Sequence, residues 1–254
     1  YLHSFPTRRS SDLYNYYLTN NTPYFVGFAI ADVMIPTDDP RMPIFLTPST
    51  DGQESYRGRP IQLAQEQKDP YGQDMVASVG PVLMAPTYDI IIFNAAETYL
   101  LRAEAAHAGI TTENAGDLYR TGIEKSMEQY GVPAAEVAEF LTNAGVVLTG
   151  TTEEQFEKIV TQKYIAMFFQ GHQGWAEMRR TGYPKVWIGG EQGVTGGQIP
   201  RRFTYPYDEE LKNKENVTAA ATRMGGDLMT TRVWWDKRAG VPFAHPRQNV
   251  FPPN

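Results

Sequence analysis

The sequence predicts a mainly α fold, with antiparallel helix pairs set among long irregular loops and a few short strands. Three observations predict it. Residues 93–180 alternate capping signals, apolar residues at helical spacing and glycine stops. Residues 14–90 are interrupted by Pro23, Pro36, Pro40, Pro43, Pro48, Pro60, Pro70, Pro81 and Pro86, each of which removes a donor and restricts its predecessor. Residues 181–254 return to glycine- and proline-punctuated loop.

The elements follow in order. Residues 1–13, YLHSFPTRRSSDL, show neither a strand nor a helix period. They resemble translated sequencing adapter, so they are set aside as an artefactual segment. Residues 14–254 are expected to form a single domain truncated at its N-terminal side. Between 14 and 90 the pattern allows one short helix before Pro36 and short strands at 44–46 and 82–84. Asn94 offers an N-cap and Glu97 a carboxylate reaching back to it, opening a nearly all-round apolar helix that ends at Gly109. A second helix spans 113–130, with Leu118, Ile123, Met127 and Tyr130 on one side and Gly131 as its stop. Pro133 starts a third, through Val137, Phe140 and Leu141. The run Thr152-Glu153-Glu154-Gln155 reads as a capping box before a fourth helix with Phe156, Ile159, Val160, Tyr164, Met167 and Phe168 on its apolar side. Gly171 and Gly174 are expected to break or bend that helix ahead of Trp175. Residues 212–221 suggest one more short helix, and 242–254 an extended surface segment. Short connections favour two antiparallel helix pairs.

Composition narrows function. The chain has 254 residues, a net charge of −6 and 41% hydrophobic residues. A domain of this size buries roughly 70–75% of its unfolded surface. The acidic balance argues against nucleic-acid binding, and no apolar run reaches membrane-spanning length. Cysteine is absent, which excludes disulfides, thiolate catalysis and cysteine-ligated metals. His3, His107, His172 and His245 show no metal-ligand spacing. No nucleophile elbow, Walker loop or dinucleotide fingerprint occurs. The carboxylate pairs Asp38 with Asp39, Glu97 with Glu104, and Glu209 with Glu210 do not define the roughly 5–9 Å geometry of a glycosidase. Asp38 and Asp39 also lack the spaced loop of a calcium site. No catalytic residue, metal or cofactor is assigned. Fifteen Tyr, twelve Phe and four Trp are the more informative surplus, because flat rings also receive planar or sugar ligands.

Three patterns stand out together. In the helix Glu97-Thr98-Tyr99-Leu100-Leu101-Arg102-Ala103-Glu104-Ala105, Glu97 and Glu104 share a face, and with Arg102 they suggest an ionic lock. Trp175-x-Glu177-x-Arg179-Arg180-Thr181-Gly182-Tyr183-Pro184 places two arginines at a helix end, where they complement the dipole and can fork onto carbonyls. Pro200-Arg201-Arg202-Phe203-x-Tyr205-Pro206 is followed by Trp234-Trp235-Asp236. In this order, across 97–236, the motifs resemble the SusD/RagB family, in particular the SusD-like outer-membrane nutrient-binding lipoproteins of Bacteroidetes. The resemblance implies a scaffold of tetratricopeptide-like helix pairs with loops bearing the ligand surface. It implies a protein that is not an enzyme, lipid-anchored at the cell surface in the outer membrane. Such a protein binds an oligosaccharide or peptide and acts as a lid on a SusC-like TonB-dependent transporter. The signal, lipidated cysteine and first helices would lie in the missing part.

The resemblance also points to the loops ahead of the Glu97 helix as a ligand surface. There Tyr56, Tyr71 and Tyr88 are candidate stacking platforms, with Arg57, Arg59, Gln53 and Asp51 as hydrogen-bonding groups. Trp187, beside the glycine-rich stretch, is a further candidate. Trp175, Trp234 and Trp235 lie in the shared motifs and are expected in the core, as Glu97, Arg102, Glu104, Arg179 and Arg180 are expected to be structural. A helical scaffold for a protein partner and, more remotely, a glycosidase are the competing readings.

Overall fold

The computed structural model describes residues 24–251 except 62, 86, 90 and 189–193. The adapter-like residues 1–13 lie outside the described residues. The chain opens with α1, Phe28–Met34, which stops just before Pro36 as expected. A single turn, α2 at Met42–Phe45, runs into β1, Leu46–Thr47. β1 pairs antiparallel with β2, Ser78–Val79, in the register Leu46 to Val79 and Thr47 to Ser78. The expected strand at 44–46 is therefore mostly helix, with its strand part shifted to 46–47. The expected strand at 82–84 is a turn, with Leu83 N donating to Gly80 O at 3.1 Å and Met84 N to Pro81 O at 3.2 Å. Pro81 has no N–H to give a ladder.

The long helices follow. They are α3 at Ala95–His107, α4 at Ala115–Gln129, α5 at Ala134–Phe140, α6 at Thr152–Ala166 and α7 at Gly171–Thr181. Asn94 caps α3, its Oδ1 accepting from Glu97 N at 2.7 Å. The reciprocal Glu97 bond does not form, because the Glu97 side chain turns towards α6. The capping box of α6 uses Thr151 with Glu154, one position earlier than expected. Glu154 Oε2 accepts from Thr151 N at 2.7 Å, and an ionised carboxylate is a better acceptor there than the Gln155 amide. Gly171 and Gly174 do not break a helix. The break lies at Met167–Gln170, where Phe169 takes φ +72°, and Gly174 sits buried inside α7 against the Tyr164 ring. The expected helix at 212–221 is two helices, α8 at Tyr207–Lys212 and α9 at Lys214–Met224, parted at Asn213.

Packing follows from these faces. α3 and α4 make the most extensive helix pair, and Gly122 lets them approach, since a Cβ there would lie 2.6 Å from Leu100 Cγ. Leu100, Ala103, Leu118, Ile123, Met127, Phe140 and Ile159 form one apolar cluster around them. A second joins α1, α2 and β1 through Ile30, Met34, Phe45 and Leu46 to Ile165 at the end of α6.

Two buried polar clusters tie these layers. Arg41 is fully buried. It donates to Asp39 Oδ2 at 2.5 Å, Ser126 Oγ at 2.8 Å and Gln162 Oε1 at 2.7 Å, joining the loop ahead of α2 to α4 and α6. Lys163, 1% exposed, lies between Glu104 at 2.8 Å and Glu177 at 2.9 Å. Arg180 closes the group, at 2.5 Å from Glu104 and 2.6 Å from Glu177. The ionic lock is thus made by Glu104, Lys163, Glu177 and Arg180. Arg102 stands about 200° round α3 from Glu104 and pairs instead with exposed Glu113.

Two outcomes are expected. Arg41→Met leaves Asp39 buried without its cation and should cost roughly 3–5 kcal/mol in chemical denaturation. Glu97 lies near Lys163 and Glu177, and its Oε2 is buried without a hydrogen-bond partner. Burial holds its carboxyl above the usual 4.5, with Lys163 opposing and Glu177 adding to the shift. A raised folded-state value means that the native protein binds this proton more tightly than the unfolded chain, so the charged form penalises folding as pH rises through that value. Glu97→Gln should therefore be more stable than the parent at neutral pH. The gain should fade towards about pH 4, as thermal melts across pH would show.

Candidate functional site

The loop layer from 48 to 88 is built by local turn bonds on the α1–β1 platform. Asp51 Oδ1 accepts from Ser49 Oγ at 2.9 Å and from Gln53 N at 3.1 Å, and these bonds hold its carboxyl below the usual range, the backbone bond from Gln53 first. Arg59 exchanges backbone bonds with Val26 and Phe28, each at 2.8 Å. Its guanidinium lies 5.2 Å from the Phe25 ring centre. Gly58 permits that approach, since a Cβ would meet Phe28 Cα at 2.6 Å. Arg57 donates twice to Met75 O, at 3.1 and 2.9 Å, and sits 5.3 Å above Tyr71.

The structure divides the proposed platforms. Tyr71 is 1% exposed, and burial pushes its phenol up to about 12. Trp187 is 2% exposed, with Nε1 donating to Arg247 O at 3.0 Å and Val250 O at 3.2 Å. Neither presents a ring face to solvent. Both were read as platforms because their loop settings hid what packs on them. For Trp187 that cover is the C-terminal segment itself, which buries Val241 and His245 and so is not simply extended over the surface. Tyr56 and Tyr88 are half-buried against the second apolar cluster. Arg57 and Arg59 keep some exposure, with their guanidinium groups already engaged. Gln53 and Asp51 are exposed.

A cleft of about 260 Å³ was not visible in the sequence. Asp32 of α1, Glu157, Lys158 and Thr161 of α6, Lys185 and His245 line it. Its carboxylates have cationic or imidazole partners. His245 Nε2 is 2.9 Å from Asp32 Oδ2, Arg247 is 2.5 Å from Asp32 Oδ1, and Lys185 is 2.9 Å from Glu157. Lys158 donates to Val147 O at 2.7 Å. Such a cleft offers hydroxyl-reading groups, with the Lys158 ammonium bonded to backbone carbonyls. No local motif announces it, because Asp32 and His245 are 213 positions apart.

Of the two helix-end arginines, Arg179 joins α7 to the C-terminal loops, while Arg180 turns to Glu104 and Glu177. Arg179 Nη1 donates to Arg201 O at 2.6 Å, and Arg201 Nη2 to Arg179 O at 2.7 Å. Arg201 Nε reaches Asp236 Oδ2 at 2.6 Å. The motif tryptophans differ from the core placement expected of them. Trp175 is half-buried, its Nε1 donating to Pro200 O at 2.8 Å, while Trp235 is 37% and Trp234 81% exposed. Asp236 takes the inward position in that motif. Among the described residues no group of His, Asp and Glu is placed to hold a metal ion, and no helix is long and apolar enough to cross a membrane.

A family model described as starch-binding and associating with the outer membrane, SusD-like, matches residues 5–206. No curated protein matches the sequence. Among solved structures, a SusD homologue from Bacteroides vulgatus is 31% identical, with a TM-score of 0.73 over 84% of this chain and 49% of its own. A chitin-binding protein is 28% identical, with a TM-score of 0.75 over 89% of this chain and 52% of its own. A chitin-binding SusD homologue from Flavobacterium johnsoniae is 29% identical, with a TM-score of 0.68 over 85% and 50%. The chain spans about half the length of these structures.

The placement of Trp187 has a measurable consequence. Trp187→Ala should lower unfolding free energy by roughly 3–5 kcal/mol, as large buried aromatics do. A loss below about 0.5 kcal/mol, typical of exposed sites, would show a free ring.

Proposed function

The chain belongs to the SusD-like family, and on that premise we propose that it binds a neutral oligosaccharide at the cell surface and passes it to a SusC-like TonB-dependent transporter. The observation that carries the reading is the family match over 5–206, joined by two solved relatives that are chitin-binding proteins. The local chemistry supports it. The cleft beside His245 is lined by polar groups whose carboxylates are already partnered, which suits hydroxyl groups. Tyr56 and Tyr88, each partly buried against the second apolar cluster, stand on loops that a rigid helical scaffold holds. The role proposed is binding, with catalysis left to separate hydrolases, and the location is the outer membrane through a lipid anchor carried elsewhere in a longer protein.

We also propose that residues 14–254 are the C-terminal part of one longer domain. An apolar groove of about 480 Å³, lined by Phe25, Tyr164, Phe168, Phe169, Trp175 and Met178, offers a seat for the remainder. Phe169 at its edge is exposed, as are Ile92 and Phe93 elsewhere.

Isothermal titration with maltohexaose and chitohexaose tests the reading. Saturable binding to at least one is expected, weakened about tenfold when Tyr56 and Tyr88 are both changed to Ala, at roughly 0.7 kcal/mol per ring. Binding that survives this double change moves the site to other residues. Absence of binding to both glycans would sink the proposal, and turnover of either would favour a glycosidase.

A further inference from the structure

Phe203, Trp234 and Trp235 are exposed aromatic residues on the two loops that the Arg201–Asp236 pair joins. Phe203 is 65%, Trp234 81% and Trp235 37% exposed. Phe203 packs edge-on against Trp175, with ring centres 5.1 Å apart. The guanidinium of Arg179 lies 3.7 Å from the centre of the Trp175 ring and 5.0 Å from that of Trp235. Trp175 of α7 and Trp235 of a C-terminal loop thus flank one cation, and Phe203 of a second loop packs against Trp175.

From this arrangement we propose that Phe203, Trp234 and Trp235 form a second carbohydrate-stacking platform, separate from the Tyr56 and Tyr88 loops. The proposal rests on the glycan-binding reading and adds a location to it.

Three features support a carbohydrate as occupant. The first is rigidity. Arg201 lies two residues before Phe203, and Asp236 directly follows Trp235. The buried ion pair between them fastens the two ring-bearing loops to each other, while Arg201 Nη2 fastens both to Arg179 O on α7. Rings held this way lose little freedom when a ligand settles on them. The second is the character of the surface. Its apolar area consists of flat rings, with exposed Thr204, Arg232 and Lys237 interleaved in the sequence. Flat rings accept the C–H face of a pyranose, and interleaved polar groups can meet its hydroxyl edge. The third is the burial pattern. Asp236 and Arg201 take the inward positions, and the indole of Trp234 is turned out with most of its surface in water. Exposed aromatic surface of this kind marks an interaction site more often than a packing defect.

The test uses the whole chain, with chitohexaose and maltohexaose followed by tryptophan fluorescence and isothermal titration. Trp234→Ala and Phe203→Ala should each weaken binding about fivefold, on the scale of one lost ring contact, with an unchanged melting temperature. Trp234→Phe, which keeps a flat ring, should retain most of the affinity. If the parent chain binds a glycan and the Trp234→Ala, Phe203→Ala double variant binds it equally well, the platform is refuted while the glycan-binding reading stands. If the parent chain binds neither glycan, that reading fails and the platform with it. If the double change leaves glycan affinity intact but abolishes self-association in sedimentation, the surface is a protein-docking face and the proposal is overturned.

Discussion

A lysine ammonium almost sealed from water cannot stay charged unless carboxylates surround it, and Lys163 imposes that condition on three helices. Glu104 of α3 and Glu177 of α7 meet it from either side, and Arg180 joins both carboxylates at the rim. Burial works against the charge of Glu104, yet its bonds to Arg180 and Lys163 hold its carboxyl below the usual range. The centre therefore selects one arrangement of α3, α6 and α7. Any rotation of α7 about its axis would strand a charge, which costs more than sliding an apolar face.

That constraint reaches the surface through α7 itself. Glu177 and Arg180 are three residues apart and share one face, turned to the ionic centre. Trp175 and Arg179 are four apart and share another, turned towards Pro200, Arg201 and Trp235. Fixing the first face fixes the second. The C-terminal loops then gain a rigid attachment through Arg201 and Asp236, although loops of that length have little regular structure of their own. At the end of α7, Gly182 takes φ +83° and leaves room for the Phe243 ring, 2.7 Å from where a Cβ would stand. Tyr183 then donates to Glu153 Oε1 at 2.5 Å, returning the chain to the start of α6.

The helices were legible because their signals are local. Asn94, Gly131, Pro133 and the Thr152–Gln155 run each act within one turn, and the structure places helix ends within a residue or two of them, with the capping box itself one position earlier at Thr151 and Glu154. The strands were not legible, because a two-residue ladder depends on a partner about thirty positions away and carries no period of its own. The fate of polar residues was hidden for a related reason. By residue type Gln162 and Lys163 read as surface groups, although on a helical wheel Lys163 falls on the apolar face with Phe156, Ile159, Val160 and Met167, and only the arrival of Arg41, Glu104 and Glu177 supplies the partners that let them stay interior. The candidate site suffered most. Tyr71 and Trp187 look like free rings until the residues that cover them are placed, while Trp234 looks like core until Asp236 is seen to take the inward position. Arg179 was read correctly, since an arginine at a helix end has few other partners than carbonyls and carboxylates.

The distribution of charge bears on what such a surface can hold. Apart from Glu97, which stands beside the Lys163 centre, the principal buried carboxylates have cationic partners. Asp39 has Arg41, Asp236 has Arg201, and Glu104 and Glu177 share Lys163 and Arg180. In the cleft beside His245, Asp32 and Glu157 have cationic partners as well, Arg247 and Lys185. These buried charges are spent on holding helices and loops together and are not available to a ligand. What remains for recognition is ring surface and neutral or already compensated hydrogen-bonding groups. Uncharged polyhydroxylated ligands match that inventory, since stacking and hydroxyl contacts make no demand for a countercharge. Because Arg41, Lys163 and Arg201 are committed to the buried pairs that fix the helices and loops, recognition on the loops falls to exposed rings and exposed polar groups.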